Sequence, residues 1–139
     1  MNTTDRGDPA NFLRQSLRAN AVFSTVSGLT FALASGFIAS FLGAVESWLV
    51  LAIGVQLLCF AGMLVWLASR SEISAPLAMA VITAHLLWVL GTGIVVYVDL
   101  LTRGGNILIV VLADVVLLLA VLQAIGVRRL GRSAQPQVA

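Results

Sequence analysis

His85 and Asp114 are the only readily charged side chains set well inside apolar sequence, so any chemistry in this chain centres on them. A histidine changes charge near neutral pH and a neighbouring carboxylate can take its proton, so the two residue types suit proton exchange. A charged Asp at mid-helix costs about 2.5 to 3.5 kcal/mol in a bilayer, which calls for burial and pairing of Asp114. At 1.5 Å of rise per residue, His85 stands about 13 Å past Pro76, and Asp114 about 12 Å past Asn106 from the opposite side. Both then fall near mid-membrane, where Gln56 reaches a similar depth. One reading is a proton- or ion-linked site of His85 and Asp114, oriented by Gln56. The expected one is a buried polar clasp that fixes helix register. Thr83, Trp88 and Thr92 share the helix of His85, and Trp88 either lines a cavity or fills the core.

Other catalytic sets are missing. A single His and a single Cys cannot supply bis-histidine haem ligation, a zinc site or an intrachain disulfide. No phosphate-binding glycine pattern occurs, and all eight cations are arginines, so no lysine can hold a Schiff-base cofactor. The expectation is a non-enzymatic protein with no cofactor and no metal.

The elements that must position these residues follow from hydropathy. Of 139 residues, 60% are hydrophobic and only 10% charged, with a mean hydropathy of +1.03, which excludes an ordinary soluble domain. Apolar runs cover 21–42, 48–68, 77–98 and 107–127, each near the roughly 20 residues a helix needs to cross a bilayer. None alternates with period two, and helices satisfy their own backbone in lipid, so a barrel is not expected. The fold class is all-α, an integral membrane four-helix up-down-up-down bundle occupying 20–130. Residues 1–19 form a cytoplasmic leader and 131–139 a disordered tail.

The arginines orient it. Arg6, Arg14, Arg18, Arg70, Arg128, Arg129 and Arg132 fall on one side and Arg103 alone on the other, so both termini are expected in the cytoplasm. Trp48 and Tyr97 then lie at the outer interface and Trp66 at the inner one. The lipid bilayer is the first partner implied, and the small net charge of +2 argues against nucleic acid. Ala32-Leu33-Ala34 before Ser35 has the form of a signal-peptide cleavage site, but apolarity runs on to Leu42, so a retained span is expected.

Asp8-Pro9 can cap and start a helix, giving either an amphipathic leader helix in the inner interface, which can run straight into the first span, or a frayed basic one. Turns are expected at 43–47, 69–75 and 102–106, with Ser74 and Asn106 as caps, and such short links should make sequential helices neighbours. Ser24, Gly28, Ala32, Gly36 and Ser40 repeat every fourth residue, a small-residue stripe that lets another helix approach closely. Packing within the chain is the expected use, and a homo-oligomer or membrane-protein seam the other. Spacings from Gln56 to Arg70 and from Asp114 to Arg128 match, as a parallel repeat of two hairpins would give.

Gln56-Leu57-Leu58 followed by Gly62, Leu64, Leu67 and Arg70 resembles the second helix of DoxX-like four-helix bacterial membrane proteins, with Gln56 where that family usually has glutamate. Phe23 to Gly36 is loosely similar to their first helix. The resemblance covers about half the chain and implies a four-helix bundle in a bacterial inner membrane. The functional expectation is an accessory or interaction protein. The alternatives are a small proton- or ion-linked transporter using His85 and Asp114, and an oxidoreductase-associated subunit implied by the DoxX likeness.

Overall fold

A computed structural model describes residues 9–43 and 45–133, and every regular element in it is helical. In chain order these are α1 (Pro9–Leu33), α2 (Ser35–Leu42), α3 (Ser47–Ser69), α4 (Ala75–Tyr97) and α5 (Arg103–Ser133). Three of them, α3, α4 and α5, are long and apolar enough to cross a bilayer. α1 and α2 pass the same test only as a bent pair, so the described residues hold three helices able to span, or four if that pair is one span. This is the pattern of a multi-pass membrane protein.

The first apolar run is not one straight helix. α1 and α2 meet at 87°. The helical ladder is interrupted at Ala34, where φ is −110° and ψ is 25°. No proline is present, and the break falls immediately before the Ser35-Gly36 pair, a combination that weakens a helix. Thr25 and Thr30 add to it, each donating its hydroxyl to the carbonyl four residues back, at 2.8 Å. α2 therefore lies across the end of α1, burying Ile38, Ala39 and Leu42 and leaving Phe37 and Phe41 exposed.

The leader runs straight into the first apolar run, one of the forms expected, but it lies in the core. α1 runs unbroken from Pro9, and Leu13 and Leu17 are fully buried instead of lying in an interface. They share a core with Leu64, Leu67 and Ala68 of α3 and Ala78 and Val81 of α4, and Val127 and Leu130 of α5 pack against it. Two helix starts and two helix ends thus meet at one pole. Arg14 ties that pole together by donating to the carbonyls of Arg70 (2.8 Å) and Ser71 (3.2 Å), where a cation complements the α3 C-terminus. Arg70 lies over Trp66 at 4.2 Å and Arg129 over Phe12 at 4.8 Å, which lays these cations on aromatic faces. Residues 131–133, expected as part of a disordered tail, continue α5. The proposed Asp8 cap, Arg6, Ala44 and 134–139 lie outside the described residues.

α1 packs most extensively on α3, and the reason is glycine. A Cβ at Gly28 would stand 2.9 Å from the Gly54 carbonyl oxygen. One at Gly54 would meet the Ala32 nitrogen at 2.6 Å and the Gly28 oxygen at 2.8 Å. Two backbones in contact replace the hydrophobic drive that lipid cannot supply. The small-residue stripe is therefore divided: Ser24, Gly28 and Ala32 face this seam, while Gly36 and Ser40 are carried off on α2 and are exposed. At the other pole the cap of α5 is Thr102, not Asn106. Its hydroxyl accepts from the Gly105 N–H at 3.0 Å and donates to the Phe41 carbonyl at 2.7 Å, joining the end of α2 to the start of α5. Ser74 occupies the start of α4 without a side-chain cap bond.

α4 ends in a Schellman turn. Asp99 adopts a φ of 52°, its N–H bonds the Val96 carbonyl at 3.1 Å, and the Leu100 N–H bonds that of Val95 at 3.4 Å. Neighbours in sequence are not all neighbours in space: α4 packs on α5 and α5 on α1, but the backbones of α3 and α4 barely approach each other. Gly54→Val should lower unfolding free energy by about 1 to 3 kcal/mol by forcing α1 and α3 apart. Thermal unfolding in detergent measures this, and an unchanged midpoint would refute the seam.

Candidate functional site

Because α3 and α4 are joined at one pole and splay beyond it, a cleft opens between them. Its floor is made by α1 and α5, and its inner lobe has a volume of about 370 Å³. An outer lobe of about 370 Å³ continues towards α2. Phe31, Trp88 and Leu112 line both lobes, so Trp88 is a cavity residue.

His85 sits on the inner floor, 5% exposed, and its partners are not those expected from the sequence. Nε2 meets the Asn20 amide nitrogen at 3.1 Å, and the Ser24 hydroxyl donates to Asn20 Oδ1 at 3.4 Å. With its oxygen accepting from Ser24, the Asn20 amide presents an N–H to the ring, so Nε2 accepts and the imidazole proton belongs on Nδ1. Phe60 packs edge-on against the ring, centroids 5.6 Å apart at 89°. The fully buried Gln123 of α5 lies near the ring. No well-directed hydrogen bond joins them: Nδ1 and both Gln123 amide atoms are buried without a bonded partner.

Asp114 is not part of this group. It is exposed on α5, nine residues before Gln123 and therefore roughly 13 Å away along the axis and half a turn around it. The buried stripe of α5 is Ala113, Val116, Ala120 and Gln123, spaced at helical period, and Asp114 lies one position off it. The His85–Asp114 pairing is accordingly corrected: the azimuth of Asp114 on α5 turns it away from the buried stripe. Gln56 does line the inner lobe, on the α3 wall, and its amide makes no hydrogen bond among the described residues. Ser27, across from it on α1, is also unbonded. The sequence reasoning missed Asn20 and Gln123. Asn20 stands one residue before the first apolar run, and Gln123 is a polar residue inside the last one, a signal as legible as Gln56.

Among the described residues no three His, Cys, Asp or Glu side chains come together to hold a metal ion. Cys59 is exposed and lines the cleft. No protein-family model, curated protein or solved structure matches the chain.

Asn20→Leu should cost about 1 to 3 kcal/mol, because it strands His85 Nε2 in the core. Asp114→Leu should cost nothing or raise stability, since a lipid-facing carboxylate is removed. Paired unfolding curves in the same detergent check both, and the opposite ranking would restore Asp114 to the site.

Proposed function

We propose that this chain is a four-span protein of a bacterial inner membrane, an up-down-up-down bundle with both termini cytoplasmic. It acts without catalysis, as an accessory protein that holds a membrane-resident partner in the cleft between α3 and α4. The observation that carries this reading is the sideways-opening cleft, whose wall offers the unbonded Gln56 amide and Ser27 hydroxyl. Unbonded polar groups facing hydrocarbon are costly, and a bound partner removes that cost. The arginine distribution supports the orientation. The DoxX-like likeness of 56–70 supports the same topology.

A proton-linked carrier is the second reading. The hydrogen-bonded file Ser24–Asn20–His85 favours it, and the exposure of Asp114 weighs against it.

Two measurements bear on the proposal. With Cys59→Ala as background, Ser71→Cys should resist a membrane-impermeant maleimide in intact cells, and Glu46→Cys should react; the reverse labelling would overturn the orientation. A photoreactive benzoylphenylalanine at Met63 or Leu87, in the cleft, should give a discrete adduct in membranes. The same probe at Val111 or Val121, outside both lobes, should give only the spread of bulk lipid products. Identical adducts at all four positions would remove the binding reading.

A further inference from the structure

The two lobes of the cleft differ in chemistry. The inner lobe carries Asn20, Ser24, Ser27, Gln56 and His85, whereas the outer lobe has only the Thr92 hydroxyl and the Trp88 indole it shares with the inner one. Neither lobe is lined by an arginine or a carboxylate. A ligand that fits must therefore be polar at one end and hydrocarbon at the other. Its polar end must be uncharged, because a charge would enter low-dielectric surroundings without a counter-charge. That end must also be compact, since it reaches a floor about 15 Å along α4 from the Ala75 end, well below the level of lipid headgroups.

The hydrogen-bonding inventory narrows the head further. Asn20 and Ser24 are engaged with each other and with His85, which leaves the Gln56 amide and the Ser27 hydroxyl, with the Trp88 indole N–H further along, without a bond among the described residues. An amide offers donors and an acceptor, and a hydroxyl offers both, so a hydroxyl or carbonyl oxygen on the ligand satisfies them. A pocket of this size, largely apolar with a few convergent polar groups, is the usual form of a small-molecule site.

We propose that the cleft binds a neutral, membrane-dissolved long-chain alcohol or ketone, its oxygen on Gln56 and Ser27 and its chain running past Trp88 into the outer lobe. This rests on the binding reading above and adds the class of ligand. The oxygen sets the orientation, and the splay of α3 and α4 gives lateral entry from the bilayer without a portal to water.

Trp88 is a built-in reporter. Trp48→Phe and Trp66→Phe leave it as the single indole of the chain, which has three. In detergent micelles, 12-bromododecanol should quench its emission saturably, with half-effect at a mole fraction at least about tenfold below that of 1-bromododecane. 12-Bromododecanoate should do no better than the alkane. Gln56→Leu with Ser27→Ala should bring alcohol and alkane to within about twofold. Ala84→Phe, at an exposed position on the inner wall, should abolish saturation by filling the lobe, with thermal unfolding verifying that both variants fold.

Equal, unsaturable quenching by alcohol and alkane would overturn the proposal. So would tight binding of the carboxylate, or an alcohol preference that survives loss of Gln56 and Ser27. A protein adduct at Met63 and Leu87, with no alcohol preference here, would overturn the ligand class and leave the binding reading standing.

Discussion

The backbones of α1 and α3 touch at Gly28 and Gly54, and the rest of the arrangement depends on that approach. Lipid gives helices no hydrophobic reason to associate, so contact must come from close van der Waals fit, and only glycine admits it here. The seam fixes α1 as a helix with neighbours on two sides, α3 and α5. On the α5 side the approach is also close, with a Cβ at Gly126 meeting Leu13 atoms at 3.0 Å. α1 is thereby held between the two helices, and α4 is left to pack on α5. The separation of α3 from α4 follows.

That separation is bounded at both poles by different means. At one, the short connection after Ser69 and the carbonyls held by Arg14 bring α3 and α4 into a common core. At the other, α2 crosses the end, with Ile38, Ala39 and Leu42 clustered around Val50 of α3. Thr102 fastens this crossing by serving two helices at once, capping α5 and covering the last carbonyls of α2. The Thr102 N–H adds a bond to the Leu42 carbonyl at 2.9 Å. The helix dipoles run head to tail at this junction, which favours it electrostatically. A cleft closed above and below and open at its side is the result.

The polar file Ser24–Asn20–His85 crosses from α1 to α4, helices whose backbones have little contact, so hydrogen bonding supplies a link that packing does not. The buried Gln123 of α5 stands near the ring without a directed hydrogen bond to it, so the file itself ends at His85. Two helices are thus tied near one level by side chains that could not be left alone in hydrocarbon. Gln56 and Ser27 stand beside this file yet outside it. A register clasp and a ligand floor are compatible uses of one cluster, because the clasp leaves two of its neighbours unbonded.

The apolar runs, the helical class and the polar residues in costly positions were legible in the chain alone, because hydropathy and length are local quantities set by the bilayer. The spacing of Ser24, Gly28 and Ala32 likewise announced a packing face, since helical period is intrinsic to the backbone. Three things were decided only by tertiary structure. One is the bend at Ala34, which removed Gly36 and Ser40 from the seam. The choice of Gln123 over Asp114 as the α5 residue facing His85 was a matter of azimuth, which one helix cannot specify without its neighbour. The cleft arose from the order of packing, α3 on α1, α1 on α5 and α5 on α4, whereas short loops had implied that each helix would lie against the next. A sequence states which side chains require partners; which partners they obtain is set by how the helices are rotated against one another.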